Sequence, residues 1–189
     1  MSPTILRTTE TLSNLAIEWV YASPALEITR YRCLVGHHHE GREQAQPGHV
    51  IGFPHSGAFE LHMHRERTVI DSNLVMFHNA WTPYTTQHPA ECCDTGSAIA
   101  LRPDLLVEIV RRHDEGVSER PETPFAADHA PLSSQAVLVE RLLSRYLAES
   151  RRHDDLMVEE TAFHLVDEVV AIPYRLGRAH PRSSGEAAV

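Results

Sequence analysis

Short runs of alternating apolar and polar residues fill the first half of this chain. The clearest run covers residues 59–64, where the sequence FELHMH places apolar residues on one face and polar residues on the other. Such period-two alternation is typical of strands that bury one face. Further runs are bounded by turn residues, and they lie at 15–21, 26–34, 50–53, 68–70, 74–77 and 97–101. The pattern predicts an antiparallel barrel or sandwich.

The period changes after Arg102, and the rest of the chain is predicted to be helical. Pro103 and Asp104 suit the first turn of a helix. Apolar residues recur at helical spacing over about 103–112, 133–150 and 155–172, and the last helix is expected to end before Pro173. The segment 116–131 is predicted to be a loop. The sequence thus predicts an α+β protein with a barrel in 1–102, a helical region in 103–175 and a tail or linker in 176–189.

The predicted helices are amphipathic and must cover an apolar surface. Two arrangements meet this need, and they are compatible with each other. The helices pack on one another and on the barrel, or one exposed face pairs with a second copy of the chain. A homodimer is therefore expected.

Composition describes an ordinary globular protein. The chain has 189 residues, 42% of them apolar and 23% charged, which is enough for one domain with a real core. A net charge of −9 without a basic stripe argues against nucleic-acid binding by this segment alone. No apolar run could span a membrane, and Thr9, Glu10 and Glu18 interrupt any export signal. Three cysteines, two of them adjacent, fit reduced thiols in the cytoplasm.

Histidine is abundant, with fourteen residues, and three groups combine it with cysteine or acidic side chains. The groups are Cys33 with His37, His38, His39 and Glu43; His62 and His64 near His55; and Cys92 and Cys93 with His88 and Glu91. No nucleophile motif and no Gly-rich phosphate loop accompanies them.

The ordered motifs of the chain resemble the N-terminal sensor domain of AraC-type transcriptional regulators. Three segments carry the resemblance: HVIGFPHSGAFELHMH, then TVIDSNLVMFHNAWTPYTTQHP, then SAIALRPDLL leading into the first helix. The second contains a turn of the family's Phe-x-Asn-x-x-x-Pro-Tyr type, formed here by Phe77, Asn79, Pro83 and Tyr84. The resemblance covers most of residues 10–172. It implies a cupin-like antiparallel β-barrel followed by C-terminal α-helices that dimerise.

The resemblance also implies a function in transcription regulation. The chain is expected to be a cytoplasmic effector-sensing domain that binds a small molecule or a metal ion. In the family, helix-turn-helix units that read DNA lie downstream of such a domain, whereas this chain stops at Val189. Contact with DNA is therefore expected only through a part absent from these residues, and no membrane partner is expected.

A metal site is a further implication of the resemblance. Some sensor domains of this type carry a cysteine at the end of an early strand, a histidine shortly after it and a cysteine after a His-Pro pair. The corresponding ligands, with zinc as the suggested ion, are Cys33, His37, His39, Cys92 and Cys93. Thiolate and imidazole ligands suit Zn²⁺ and also accept softer metals. The other possibility is that no metal binds: Cys33 is then a small buried hydrophobe, the cysteine pair lies in a loop and the histidines are solvated.

A metal-dependent cupin enzyme acting on a small molecule is the alternative function. His37, His39 and Glu43 have the spacing of ligands in metal-binding cupins. Such a site needs another histidine from a later strand, where this sequence has Pro83 followed by Tyr84. The chain is therefore expected not to be an enzyme.

Apolar and aromatic side chains of the predicted strands are candidates for a ligand pocket inside the barrel. They are Trp19, Phe53, Phe59, Leu61, Met63, Phe77, Trp81 and Tyr84. The same side chains would suit a filled core, and the sequence does not decide between these two interpretations. We expect the apolar face of residues 59–64 to point into the barrel, which leaves Glu60, His62 and His64 outside.

Overall fold

A computed structural model describes residues 9–12, 15–34, 39–40, 42–88, 94–150 and 152–179. The strands in these ranges are β1 Thr9–Leu12, β2 Leu15–Ala22, β3 Leu26–Cys33, β4 His39–Glu40, β5 Val50–Ser56, β6 Phe59–Met63, β7 Glu66–Ile70, β8 Leu74–His78, β9 Tyr84–His88, β10 Thr95–Leu101 and β11 His129–Pro131. The helices are α1 Pro103–Arg111, α2 Ser134–Glu149 and α3 Asp155–Arg175, with a short 3-10 helix at Glu115–Glu119. The predicted order of antiparallel strands followed by helices is confirmed.

The strands form two antiparallel sheets. Within the described ranges, the larger sheet has the order β1-β2-β3-β10-β5-β8-β11, and the smaller sheet has the order β4-β9-β6-β7. Strand β10 pairs with β3 on one side and β5 on the other, so it is internal to the larger sheet. The sheets face each other across a cavity, and the helices cover the opposite face of the larger sheet.

One strand lies in the segment that the sequence predicts as a loop. Strand β11 pairs with β8, and Phe77 N–H donates to Asp128 O at 2.8 Å beside it. Ala130 in the middle of β11 is only 2% exposed. This short strand is held by pairing and burial across a long stretch of chain, which local composition does not reveal.

Side-chain caps define the starts of the two long helices. Ser133 and Asp154 precede α2 and α3, and their side-chain oxygens accept backbone N–H groups three residues ahead at 3.0 Å and 3.2 Å. Helix α3 continues to Arg175 although its end was predicted before Pro173. The proline is buried in the final turn, which closes with Leu176 N–H donating to Ile172 O at 3.0 Å. No helix in the described ranges is long and apolar enough to cross a membrane.

The main hydrophobic core lies between the larger sheet and the helices. Ile51, Phe53, Phe77 and Ile99 from the sheet are each at most 2% exposed, and they share one cluster with buried residues of α1, α2 and α3. A second, smaller cluster lies toward the other sheet. It contains Phe59, Leu61, Met63, Ile70, Met76 and Tyr84.

A buried carboxylate ties α2 to the barrel. Glu140 Oε1 accepts from Ser97 Oγ of β10 at 2.6 Å, lies 2.9 Å from His55 Nε2 of β5, and accepts from Ser144 Oγ at 2.8 Å. Burial alone would raise the pKa of Glu140. The hydrogen bonds from His55, Ser97 and Ser144 outweigh burial and hold that pKa below its usual range. Glu140 is therefore a charged anchor between helix and sheet.

Candidate functional site

A cavity of about 600 Å³ lies between the two sheets. Its walls combine side chains from β2, β3, β5, β8 and β10 of the larger sheet with side chains from β6 and β9 of the smaller one. This volume lies within the range of pockets that take small organic ligands, roughly 300–1,000 Å³. Trp19 and Glu27 also line it, and Trp19 Nε1–H donates to the exposed Glu27 at 3.3 Å. These two residues mark the solvent-facing rim.

Small residues of the larger sheet create the space. Gly52, Ala98 and Ala100 line the cavity, and the sheet register pairs Ala98 with Gly52. A Cβ atom on Gly52 would lie 2.8 Å from Met76 Cε, so the glycine allows the Met76 side chain to lie across the sheet. The cavity therefore results from residue size on one face of an otherwise tightly packed sheet.

One end of the cavity brings together Cys33, His88 and Asp94. Cys33 ends β3 and donates its backbone N–H to Asp94 O at 2.9 Å, whereas His88 ends β9 in the opposite sheet. His88 Nε2 lies 2.7 Å from Asp94 Oδ1. One ligand atom from each of the three buried residues lies within 4.8 Å of the other two. The group could hold a metal ion.

Two glycines fix the backbone at this end. Gly57 has a φ of 81°, and a Cβ atom there would lie 2.8 Å from Asp94 Cα. A Cβ atom on Gly96 would lie 2.4 Å from the Tyr31 hydroxyl oxygen, so the ring of Tyr31 crosses directly over Gly96. The positions of Asp94 and Tyr31 therefore depend on the absence of side chains at these two sites.

The Tyr31 hydroxyl is a neutral donor at the same end of the cavity. Burial raises the pKa of Tyr31, and the carboxylates of Asp94 and Glu140 raise it further. The hydroxyl oxygen is buried and has no hydrogen-bond partner among the described residues. Its proton is therefore retained at neutral pH and is available to an acceptor.

His78 and Tyr84 form the other end of the cavity. Their ring centroids are 4.6 Å apart, and Gln46 Nε2 donates to the Tyr84 hydroxyl at 2.7 Å. Burial lowers the pKa of His78 from 6.5 to about 4, so its imidazole is neutral at pH 7. Within the described ranges, His78 Nδ1 is buried and has no hydrogen-bond partner.

Three of the six buried side-chain polar atoms that lack a partner among the described residues line this cavity, and the others belong to Thr123 and His153. Three lining residues each carry one: Tyr31 Oη, His78 Nδ1 and His88 Nδ1. Leaving a buried polar group unpaired costs about 1–3 kcal/mol, and such groups in native proteins call for an explanation. The cavity is thus equipped to make polar contacts with whatever occupies it.

The predicted metal ligands lie partly at this site. Cys33 belongs to the buried group with His88 and Asp94. His37, Cys92 and Cys93 fall outside the described residues, and His39 is described only through its backbone, which pairs with His88. The five-residue ligand set stays a prediction. Asp94 was missed because only the sheet register shows that it adjoins Cys33 and His88.

The predicted pocket residues divide between four places. Trp19, Phe59, Leu61 and Tyr84 line the cavity. Phe53 and Phe77 lie in the core beneath the helices because their neighbours Gly52 and Met76 face the cavity. Met63 packs in the smaller cluster beside Tyr84. Trp81 is 71% exposed and has a φ of 61°, which turns its ring to solvent.

The polar face of β6 lies outside the barrel. Its burial alternates, with Phe59, Leu61 and Met63 buried and the intervening residues partly exposed. On the outer face Arg67 Nε donates to His62 Nε2 at 3.1 Å. The prediction that this polar face points outward is confirmed.

Comparison with known proteins gives structural likeness without sequence likeness. No protein family model matches the chain, and no curated protein sequence matches it. The AraC-like transcriptional activator CuxR superposes with a TM-score of 0.58 at 16% identity, covering 91% of this chain and 59% of CuxR. A cupin superfamily protein from Desulfitobacterium hafniense superposes with a TM-score of 0.38 at 11% identity, covering 53% of this chain and 90% of that protein. DMSP lyase DddQ from Ruegeria pomeroyi superposes with a TM-score of 0.41 at 16% identity, covering 47% of both chains.

These comparisons agree with the architecture described above. The chain has a cupin-like fold of antiparallel sheets followed by C-terminal helices. This chain spans 59% of the length of CuxR. At these identities the likeness concerns the fold, so a cupin-like domain is as far as the resemblance is confirmed.

The prediction that the chain is not an enzyme is wrong as stated. It depended on Tyr84 standing where a metal-binding cupin would place a histidine. Cys33, His88 and Asp94 offer a different candidate metal group that does not involve Tyr84. The matched structures also include DMSP lyase DddQ.

Proposed function

We propose that this chain is a small-molecule-binding domain whose ligand occupies the cavity between the sheets. The observation that carries the proposal is the set of unpartnered polar atoms on Tyr31, His78 and His88, all on the wall of one cavity. A ligand with matching polar groups would satisfy these atoms and cover the apolar wall between them. Both gains favour binding.

A metal ion held by Cys33, His88 and Asp94 is the second part of the proposal. The thiol, imidazole and carboxylate form a donor set that suits zinc. The fit is supported by His88, whose Nδ1 is buried without a partner. Cys33, His88 and Asp94 would hold the ion, and a metal there would polarise an oxygen of the bound ligand as a Lewis acid.

A metal-dependent cupin enzyme acting on a small molecule is the function that this site favours. The candidate metal group and the unpartnered Tyr31 hydroxyl lie at the same end of the cavity. Tyr31 would donate a hydrogen bond to the ligand there, and the apolar wall would exclude water from it.

An effector-sensing domain of an AraC-type regulator is the second candidate, and the helices favour it. The likeness to CuxR extends over 91% of this chain, so it includes α1, α2 and α3. Glu140 links α2 to β10, which also lines the cavity. Occupation of the cavity would then bias the position of α2. Contact with DNA through a further domain and pairing as a homodimer stay predictions.

Elemental analysis tests the metal. Protein purified without chelator is expected to contain about one zinc per chain, and Cys33→Ser or His88→Gln is expected to remove it. His62→Gln is the matched control, because His62 lies on the outer face and contacts Glu60 and Arg67. Metal retained by both site variants would refute this ligand group, and Cys92→Ser with Cys93→Ser would then test the remaining predicted ligands.

A thermal-shift screen of small metabolites tests the ligand site. Compounds that bind are expected to raise the Tm of the wild type but not of Ala98→Phe, whose larger side chain would fill the cavity. Mass spectrometry of each hit after incubation then separates the candidates, since an enzyme converts the compound and a sensor returns it unchanged. If no compound distinguishes the wild type from Ala98→Phe, the cavity is not a ligand site.

A further inference from the structure

The cavity has two polar ends, and the sheet register gives their separation. Tyr31 pairs with Gly96, which in turn pairs with Pro54 on β5. His78, at the other end, pairs with Val50 on the same strand. Val50 and Pro54 are four residues apart, which corresponds to about 13 Å at 3.3 Å per residue. The two ends are therefore about 13 Å apart along the strand direction, and the three strand-to-strand steps from β3 to β8 add to this distance.

The smaller sheet repeats this arrangement on the opposite wall. Strand β9 begins at Tyr84 and ends at His88, which are again four residues and about 13 Å apart. Tyr84 lies against His78, and His88 lies against Asp94. Both walls of the cavity thus place polar groups at the same two ends.

The wall between the ends is mainly apolar. Ile17, Leu61, Met76 and Ala98 line this part of the cavity together with two hydroxyl-bearing residues, Thr29 and Thr86. Leu61 and Met76 belong to the smaller hydrophobic cluster, and Leu61 is only 2% exposed. A ligand that spans the cavity must therefore present an apolar middle section.

The charges on the described cavity wall favour an uncharged ligand. Its charged residues are Asp94 and Glu27, both acidic, and His78 is neutral because burial lowers its pKa. A divalent metal at the Cys33 end would be balanced by one thiolate and one carboxylate. A metal at the Cys33 end would still compensate one anionic group, but the described wall at the His78 end offers no positive charge for a second one.

We propose, on the basis of the function proposed above, that the cavity selects an elongated, uncharged molecule with a hydrogen-bonding group at each end. One group accepts from the Tyr31 hydroxyl, and the other pairs with His78 Nδ1. Extended diols, bisphenols and hydroxyketones belong to this class, whereas dicarboxylates of the same length do not.

Three probes on a common stilbene core test the proposal. The first carries a para hydroxyl on each ring, the second carries one para hydroxyl, and the third carries a para carboxylate on each ring. Binding is followed by quenching of Trp19, which lines the cavity, in a Trp81→Phe background that leaves a single tryptophan. The dihydroxy probe is expected to bind tightest, and the dicarboxylate is expected to bind at least tenfold more weakly.

A Tyr31→Phe variant tests whether both ends are used. The variant is expected to bind the dihydroxy probe about three- to tenfold more weakly, which is the effect of one lost hydrogen bond. The monohydroxy probe can turn its hydroxyl toward His78, so its affinity is expected to change less than about twofold. Tyr174→Phe is the matched control, because the Tyr174 hydroxyl donates to Asp114 rather than lining the cavity.

Each contrary result has a definite meaning. Equal losses for the two hydroxylated probes in Tyr31→Phe would overturn the two-ended arrangement. A dicarboxylate that binds as tightly as the diol would overturn the uncharged class while leaving the cavity a ligand site. Absence of quenching by all three probes would overturn the elongated class, and the metabolite screen with Ala98→Phe would still decide the proposed function independently.

Discussion

The two faces of the larger sheet differ in the size of the side chains they carry. Toward the helices, Ile51, Phe53, Phe77 and Ile99 are large and almost completely buried. Toward the smaller sheet, the alternating positions include Gly52, Gly96, Ala98 and Ala100. The same strands therefore hold a tightly packed core on one side and an internal space on the other.

Along each strand, the residues of one face contribute to stability and the residues of the other face form the candidate site. The helix-facing residues exclude water and supply most of the buried apolar surface. The cavity-facing residues include small and polar ones, and two of them, Tyr31 and His78, carry buried polar atoms without a partner among the described residues. Substitutions on the two faces should therefore have different consequences, which the following predictions rank by size.

The largest effect is expected from truncation on the packed face. Phe77→Ala should lower the free energy of unfolding by about 3–5 kcal/mol, because it leaves a void in a dense core. Met76→Ala, on the cavity face of the same strand, should cost about 2 kcal/mol, since it enlarges an existing space. Urea denaturation measures both. Equal losses would show that the two faces are packed alike.

Acid should act on the cavity face through His78. Its pKa is lowered from 6.5 in the unfolded chain to about 4 in the folded protein. The unfolded state therefore takes up a proton first as the pH falls, and stability declines between pH 6.5 and pH 4. The loss should reach about 3 kcal/mol. His78→Gln should remove this part of the slope in denaturation measured across that range, and an unchanged slope would contradict the assignment.

Two glycines of the cavity face should respond differently to alanine. Gly96→Ala would bring a Cβ atom within 2.5 Å of the Phe53 carbonyl oxygen, so the backbone must shift at a cost of about 1–3 kcal/mol. Gly52→Ala meets only the terminal methyl of Met76, at 2.8 Å, and this flexible side chain can turn away. Its expected cost is below about 1 kcal/mol. Comparable Tm losses in the two variants would contradict the difference.

The smallest effect concerns the carboxylate on the packed face. Glu140→Gln keeps the size of the side chain but weakens its hydrogen bonds, and it should cost about 1 kcal/mol at neutral pH. The folded pKa of Glu140 is lowered, so its contribution is complete above the unfolded pKa and is lost as the pH falls through the folded value. The difference in the free energy of unfolding between wild type and variant should therefore disappear in acid, below about pH 4.3. A gap that stays constant there would show that the charge is not involved.

Local periodicity predicted seven of the eleven strands in the described ranges, β2, β3, β5–β8 and β10, together with the three helices. The alternation of Phe59, Leu61 and Met63 identified a half-buried strand with its polar face outside, as observed. The helices were predicted because their apolar spacing is equally local. Strand β11 was not, because its pairing with β8 joins segments about fifty residues apart and its three residues carry no period.

The cavity face could not be predicted for strands that are apolar on both sides. Residues 50–53 and 74–77 form continuous apolar runs, so nothing in them distinguishes Phe53 and Phe77 from Gly52 and Met76. The same limit applies to Asp94. Its place beside Cys33 and His88 depends on how β3, β9 and β10 end relative to one another.

Strand β10 carries both kinds of residue in alternation, and this has an evolutionary consequence. Ser97 holds the helix anchor Glu140, whereas Ala98 and Ala100 shape the cavity. Substitutions at 98 and 100 can remodel the interior while the contacts at 97 persist. Lineages that inherit this barrel can therefore diversify what they recognise while keeping the same helical exterior.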